Sequence, residues 1–411
     1  MVVLALIFWT SKSEHPFWQK FYKFVPILLL AYFIPAILRS FGLIAPEWLD
    51  ADGVVVKSQL YFVASRYLLP ACLILLCLSI DIKGIIGLGP KAIVMFLAAS
   101  LGIILGGPVA LLVVTQLFPN LIPIPADQLW TGFSTIAGSW IGGGANQTAM
   151  KEIFDVADDL FGMMIIVDIL VANIWLGFLL YGINVSDRID RFLKADNSAI
   201  ERLKKSVSDY RSSIEQMPTV TNTLVLMGVA FGGTALAHWA ADSITPWMSA
   251  RSELLENLRL NSLTSGFFWL IVVATTVGFG LSFTKAKRLE GVGASRWGTI
   301  FIYILVATIG MKMDLSEIFE RKNAGLLLIG VIWMMIHVLT LFIVAYIIRA
   351  PYFFIAVGSQ ANVGGAASAP VVAAAFDSAL APVGVLMAVL GYALGTYGAL
   401  ICALMMQGVV S

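Results

Sequence analysis

The stretch Leu129-Trp-Thr-Gly-Phe-Ser-Thr-Ile-Ala-Gly-Ser-Trp-Ile-Gly-Gly-Gly-Ala-Asn-Gln-Thr-Ala-Met150 is apolar enough to sit in a membrane, yet three consecutive glycines interrupt it. Each glycine costs about 1 kcal/mol in a helix interior, so Gly142, Gly143 and Gly144 are expected to unwind it near its middle. An unwound turn frees carbonyls on one half-helix end and N–H groups on the other. Inside a bilayer such groups must line a polar cavity or bind something. Half-helix N-termini suit anionic groups, and exposed carbonyls suit cations such as sodium. Asn146, Gln147 and Thr148 follow the break, while Thr131, Thr135 and Ser139 precede it at helical spacing.

A second stretch, Tyr352–Phe376, repeats the pattern. Gly358-Ser359-Gln-Ala-Asn-Val-Gly364-Gly365-Ala366 matches Gly138-Ser139-Trp-Ile-Gly-Gly143-Gly144-Ala145, and Ser359, Gln360, Asn362 and Ser368 surround Gly364-Gly365. Close packing of helices through small residues explains one such patch. Two patches at matching positions, each with carboxamides at the turn, point to a binding site. The order of elements around them also repeats. A span ends at Leu78-Ser-Ile-Asp81 in one half and at Gly310-Met-Lys-Met-Asp314 in the other; each is followed by an apolar span, a glycine-serine break and one more apolar span.

Composition sets the environment. Of 411 residues 59% are hydrophobic and 12% charged, against about 25% charged in soluble chains. Lipid must therefore cover the surface. A net charge of +1 gives no reason to expect nucleic acid as a partner. Cys72, Cys77 and Cys402 lie in apolar spans without metal spacing and read as small buried hydrophobes. No Walker loop, Gly-x-Ser-x-Gly elbow or His/Cys cluster is present, so an enzyme is not expected. Energy for uphill transport must come from an ion gradient or a partner subunit.

The fold expected is an all-α polytopic membrane protein of two inverted five-helix repeats with crossed discontinuous helices. Residues 1–24 hold a partial helix and loop, 25–183 the first repeat, 184–218 a charged soluble linker with a helical stretch at Ala199–Tyr210, 219–261 a connecting helix and loop, and 262–411 the second repeat. The expected spans are Val25–Ile44, Leu60–Ile80, Ala92–Phe118, Leu129–Met150 (broken) and Leu160–Ile183, then Val220–Ala241. Leu263–Phe283, Thr299–Met311, Ala324–Ile348, Tyr352–Phe376 (broken) and Ala379–Met406 complete the set. Basic loops at Lys83–Lys91 and Lys285–Arg296 place Asp81 inside and Asp314 outside by the positive-inside rule, which inverts the halves. A plain count gives an odd number of spans between the two five-span halves, where inversion needs an even one. Either the linker hides a crossing, one segment is not a full span, or the charge reading fails.

Asp168 sits mid-span in Met163-Met-Ile-Ile-Val-Asp168-Ile-Leu-Val-Ala-Asn173, where an ionisable group is costly and functional by default. It can be a sodium ligand, a proton carrier or a structural partner. Its counterpart in the second half falls near Leu390–Gly391, with no carboxylate. Arg39 and Arg66 are expected to snorkel from span ends. His337 reads as a hydrogen-bonded core residue, His238 with Asp242 as a surface pair, and Lys312–Asp314 and Glu317–Arg321 as interfacial loop charges.

Gly138-Ser-Trp-Ile-Gly-Gly-Gly-Ala-Asn146, followed one helix later by Val-Asp168-Ile, resembles the bacterial and plant membrane family designated domain of unknown function 819, over nearly the whole chain. It is also similar, more distantly, to the superfamily of sodium/bile-acid symporters, sodium/glutamate symporters and cation/proton antiporters. That resemblance implies inverted repeats with crossing broken helices, and a mobile core moving against a scaffold that forms a homodimer. Asn146, Gln147, Ser359, Gln360 and Asn362 then sit where the symporters bind sodium with neutral groups, and Asp168 where the antiporters keep their ion-carrying acid. The adjacent acidic or Asn-Asp pair of the antiporters is absent, since Val167 precedes Asp168.

The expected function is sodium- or proton-coupled transport of a small organic anion by alternating access, with no cofactor other than a candidate sodium ion at Asn146, Asp168, Gln360 and Asn362. The alternatives are a cation/proton antiporter using Asp168 and a non-transporting membrane scaffold or receptor.

Overall fold

The computed structural model describes the chain apart from residues 26, 46, 50–54, 123, 197–199, 201–218, 258–260, 313–323, 378–379 and 411. The stretch Ala199–Tyr210 and Asp314 with its neighbouring charges thus fall outside the described residues, save Ile200 and Lys312.

Three helices open the chain: α1 (Val2–Ser11), α2 (Pro16–Phe24) and α3 (Ile27–Ser40). A short antiparallel ribbon follows, β1 (Glu47–Leu49) on β2 (Val55–Lys57), an addition to the all-α expectation. Next come α4 (Leu60–Leu78), α5 (Pro90–Leu117), α6 (Ala126–Gly142), α7 (Gly144–Ile153), α8 (Asp158–Ile183) and α9 (Ser186–Leu193). After the linker come α10 (Val220–Ser249), α11 (Gly266–Ser282), α12 (Ala294–Gly310), α13 (Ala324–Ile348), α14 (Tyr352–Val363), α15 (Gly365–Phe376) and α16 (Ala381–Val410).

Six helices among the described residues are long and apolar enough to cross a membrane: α4, α5, α8, α10, α13 and most of α16. The spans expected at Val25–Ile44 and Thr299–Met311 are shorter apolar helices, α3 with 14 residues and α12 with 17. At 1.5 Å per residue they reach roughly 21 and 25 Å, less than a bilayer core of about 30 Å. The start of α5 shows why boundaries fall where they do. Gly89 takes a φ of 85°, open to glycine without strain, and Pro90 then supplies the first helical position.

Both broken segments exist, but neither runs straight across. Gly143, at φ 77°, separates α6 from α7, and the two helices fold back on each other. A Cβ on Gly138 would lie 2.6 Å from the Asn146 carbonyl oxygen, and eight residues further along each arm the Trp130 and Phe154 rings meet at 5.1 Å. In a straight pair those rings would be roughly 36 Å apart. The second break behaves alike. Gly365, at φ 58°, begins α15; Gln360 reaches Ser368 across the turn, and eight residues further out Tyr352 meets Phe376 at 6.1 Å. Hairpin 1 (α6–α7) and hairpin 2 (α14–α15) are therefore re-entrant.

The helix ends sort onto two faces. On the first, Asp158 at the start of α8 pairs with Lys312 just past α12 (3.0 Å) and with Lys151 of hairpin 1 (2.9 Å), and Lys151 also donates to Tyr61 at the start of α4. Gly325, near the start of α13, packs on the Leu121 carbonyl just past α5. On the second face, Lys91 at the start of α5 meets Asp196 (3.1 Å) and the Arg349 carbonyl just past α13. Lys287, after α11, meets Asp81, after α4. Asp190 of α9 accepts the Tyr352 N–H that opens hairpin 2 (2.7 Å), and burial holds its carboxyl above the usual carboxylate range. Hairpin 1 thus enters from the first face and hairpin 2 from the second.

The Asp158 cluster has a measurable weight. Lys151 is 5% exposed, and a buried cation that loses a partner is costly, about 3–5 kcal/mol for a fully buried pair; Lys151 keeps Glu152 at 3.4 Å, which lowers that cost. With Asp158 a quarter exposed, Asp158→Asn is expected to cost about 2 kcal/mol. Lys312→Met, removing a more exposed ammonium, should lower thermal stability in detergent by clearly less. Equal shifts for the two variants would show that Lys151 does not depend on Asp158.

Candidate functional site

The sequence around each turn explains how its side chains are held. At hairpin 1 the break leaves the Gly142 carbonyl at the end of α6, and the Asn146 side chain takes it up with Nδ2 (3.1 Å). The same Nδ2 donates to the Tyr392 carbonyl of α16 (3.0 Å), and Thr396, one turn on, donates to Asn146 Oδ1. At hairpin 2 Asn362 Nδ2 donates to the Gly358 carbonyl (3.0 Å) and to the Phe96 carbonyl of α5 (3.2 Å). Ser100, one turn on, donates to Asn362 Oδ1 (2.7 Å). The two carboxamides thus make the same set of bonds, although Asn146 follows its turn and Asn362 precedes its own. Both are wholly buried.

Asp168 ties the arms of hairpin 1 together. Its carboxylate accepts from Ser139 Oγ (2.6 Å) and Trp140 Nε1 (2.7 Å) on α6 and from Gln147 Nε2 (3.0 Å) on α7. Three charge-assisted donors are what a buried carboxylate needs in place of water. Ser359, in the matching Gly-Ser of hairpin 2, is held differently. It accepts from Trp175 Nε1 of α8 (2.8 Å) and lies 2.8 Å from His337 Nε2 of α13. Asp168 and Trp175 are two turns apart on one face of α8, so that single helix grips both hairpins.

The two tips pack against α16. A Cβ on Gly391 would lie 2.6 Å from the Ile141 carbonyl oxygen of hairpin 1 and 3.7 Å from the Ala361 carbonyl oxygen of hairpin 2. Gly391 lies in the stretch Leu390–Gly391 where the sequence reading puts Asp168's counterpart, and the Ile141 carbonyl leaves no room there for a side chain.

Of the remaining expected residues, Thr148 donates back to the Gly144 carbonyl (2.9 Å), and Gly364 leaves the space through which Gln360 Nε2 reaches Ser368 (2.7 Å). No two of the four candidate sodium ligands, Asn146, Asp168, Gln360 and Asn362, share a hydrogen-bond partner. The oxygens of Asn146, Asp168 and Asn362 already accept internal donors, whereas Gln360 Oε1 is buried with no partner. Among the described residues no three His, Cys, Asp or Glu side chains gather as metal ligands do.

Sequence reading missed Ser100, Trp140, Trp175, Tyr392 and Thr396, and undervalued His337. Ser100 and Thr396 carried a usable signal as isolated hydroxyls in apolar spans. Two polar side chains also sit differently from expectation. His238 bonds the Arg66 carbonyl (2.9 Å), which the π-helical turn Ala64–Leu68 carries, and Arg66 stacks on Phe267 at 4.3 Å.

Fold and site define a polytopic helical membrane protein with two opposed re-entrant hairpins whose polar tips meet inside the apolar body. The chain belongs to the family described as "Protein of unknown function (DUF819)", whose model matches residues 1–409. It is similar to the uncharacterized membrane protein YjcL of Bacillus subtilis (strain 168), 26% identical over 348 residues covering 83% of this chain and 82% of that protein.

Proposed function

We propose that the protein is a secondary active transporter that carries a small organic anion, coupled to sodium or protons, by alternating access. The carrying observation is the meeting of the two hairpin tips at Gly391, each with a half-helix N-terminus, at Gly144 or Gly365, inside the apolar body. The half-helix N-termini that begin just past those tips favour an anionic group, while the Ile141 and Ala361 carbonyls at Gly391 and the buried Gln360 oxygen favour a cation or donor.

The reading includes inverted repeats, and the fold-back of both broken segments supports it against the odd count. A re-entrant hairpin adds no crossing; with the shorter helices α3, α11 and α12 taken as crossings beside the six long ones, each half has four, and the single connecting helix α10 then starts the second half from the opposite face. The basic loops at Lys91 and at Lys287 lie on the same face, which we take as cytoplasmic. In this reading α5–α8 with α13–α16 form the mobile core, and α3, α4 and α10–α12 the scaffold of a homodimer.

Flux in proteoliposomes tests it. Sodium-driven uptake of a small carboxylate is expected, falling about tenfold or more in Asn146→Ala, which removes the side chain that joins the Gly142 carbonyl of hairpin 1 to the Tyr392 carbonyl and Thr396 of α16. Proton exchange without organic solute, abolished by Asp168→Asn, would favour a cation/proton antiporter. Absence of any flux would leave a scaffold or receptor.

A further inference from the structure

His337 lies wholly buried on α13 and closes a sealed chain of hydrogen bonds onto hairpin 2. Its Nδ1 faces the Ala99 carbonyl oxygen of α5 at 3.0 Å, so Nδ1 must carry a proton and donate. Trp175 Nε1 donates to Ser359 Oγ, and the Ser359 hydroxyl is left to donate to His337 Nε2. This fixes the neutral tautomer with Nδ1 protonated. It also matches three donors (indole N–H, serine O–H, imidazole N–H) with three acceptors (serine oxygen, Nε2, carbonyl oxygen).

A second proton on the imidazole breaks the match. Nε2 becomes a donor, Ser359 Oγ accepts from both His337 and Trp175, and the serine hydroxyl has to turn its proton out of the relay toward another acceptor. An uncompensated cation would also stand among groups that bring no counter-charge. The helices packed on α13 are α5, α8 and α14, with the short turn Pro119–Leu121 at its other end. On α5 the nearest charge is Lys91, eight residues or roughly 12 Å from Ala99 along the helix, already held by Asp196 and the Arg349 carbonyl. On α8 it is Asp168, seven residues or roughly 10 Å from Trp175, and its carboxylate is bonded to hairpin 1. Asp158 and Asp159 lie further off at the start of α8. Hairpin arm α14 has no charged residue, and Tyr352 is at its outer end.

We infer that His337 is a proton-binding site that latches hairpin 2: neutral, it holds Ser359 and keeps the hairpin closed; protonated, it releases Ser359 and the hairpin opens. The site pairs with Asp168 at hairpin 1, so that each Gly-Ser turn is held by one titratable group on a neighbouring helix. Its part in coupling rests on the transport reading above, while the site itself stands on the relay. Because the closed site would hold an imidazolium among groups that bring no counter-charge, acid favours the open hairpin, in which the cation can be hydrated.

Hydrogen exchange of the full chain in lipid nanodiscs tests this without flux. After correction for intrinsic rates, segment 352–376 is expected to open at least about tenfold more readily at about pH 5 than at about pH 8. His337→Gln should abolish the acid response, and Ser359→Ala should give fast exchange at both pH values. No acid response in the unmodified protein, or its persistence in His337→Gln, overturns the inference. Should His337→Gln fail to fold, ¹⁵N-histidine spectra of the unmodified protein decide. His337 is expected to pass from the Nδ1-protonated tautomer to imidazolium in step with the exchange; a neutral His337 throughout an acid response sinks the idea. A protein that shows the acid response but no flux keeps this site and loses the transport reading.

Discussion

Asp168→Ala is expected to destabilise the protein by about 3 kcal/mol or more, a cost set by the donors it abandons and not by the lost volume. Ser139, Trp140 and Gln147 all point at that carboxylate from both arms of hairpin 1, and each is buried. Removing the acceptor leaves three donors in an apolar interior at roughly 1–3 kcal/mol each, softened where a hydroxyl can turn back to its own helix. The indole of Trp140 cannot turn, because it is packed against Trp333 at 5.1 Å. Asp168→Asn should recover part of the loss. An amide keeps one acceptor oxygen but turns its NH₂ toward a donor on the other side. Thermal unfolding in detergent should therefore rank native, Asn, Ala in falling order. If Asn and Ala were equally stable to the native protein, the carboxylate would be spending its bonds without holding the hairpin, and its place would be functional alone.

Much of this was legible in the sequence, and what was not has identifiable causes. The long helices follow from apolar runs; Ala324–Ile348 and Tyr352–Phe376 have the ends that composition predicts. The breaks are legible because consecutive glycines are poor helix formers. That each break is a fold-back, and not a kink in a crossing helix, depends on contacts between Trp130 and Phe154, or Tyr352 and Phe376, which no local pattern encodes. The odd number of spans was the trace of it, since a segment that returns to its own face does not count as a crossing. Asp168 was legible as a lone acid in an apolar span. Its donors were partly so: Ser139 and Gln147 stood out as polar, but Trp140 looked like one more apolar residue. His337 looked like a core histidine, and it is one. Only its register opposite Ser359 distinguishes it, and that register is set by tertiary packing of α13 on hairpin 2.

Asparagine bonding shows how two unlike positions reach one solution. Asn146 and Asn362 do not align when the Gly-Ser pairs are superposed, since one lies eight residues past its glycine and the other four. Each nevertheless takes a carbonyl of its own hairpin, a carbonyl of a long helix, and the hydroxyl one turn further along that helix. A carboxamide has two donors and an acceptor in a fixed plane, which suits a place where one helix tip meets another helix side-on. The hairpins are thus fastened at the tip by a neutral residue and further along by a titratable one, Asp168 on both arms of hairpin 1 and His337 on the first arm of hairpin 2.

Gly395→Val is expected to be more disruptive than any of these polar changes at the tip of hairpin 1. A Cβ there would overlap Gly142 Cα and Asn146 Nδ2, so both a backbone and a bonded side chain are in its way. A flexible side chain can yield to a methyl group, but two backbones in contact cannot separate without moving a helix. Overpacking of this kind costs about 1–3 kcal/mol when neighbours relax, and here relaxation also breaks the bonds of Asn146 to Tyr392 and Thr396. Gly395→Ala should show a smaller loss of the same kind. Gly408→Ala on the same helix, with nothing within 4 Å of its built Cβ, should show almost none and serves as the comparison. The readouts are thermal stability in detergent and hydrogen exchange of segment 126–153, which should rise in Gly395→Val as the tip detaches from α16. Protected exchange in that segment together with native stability would mean that the tip does not dock on Gly395.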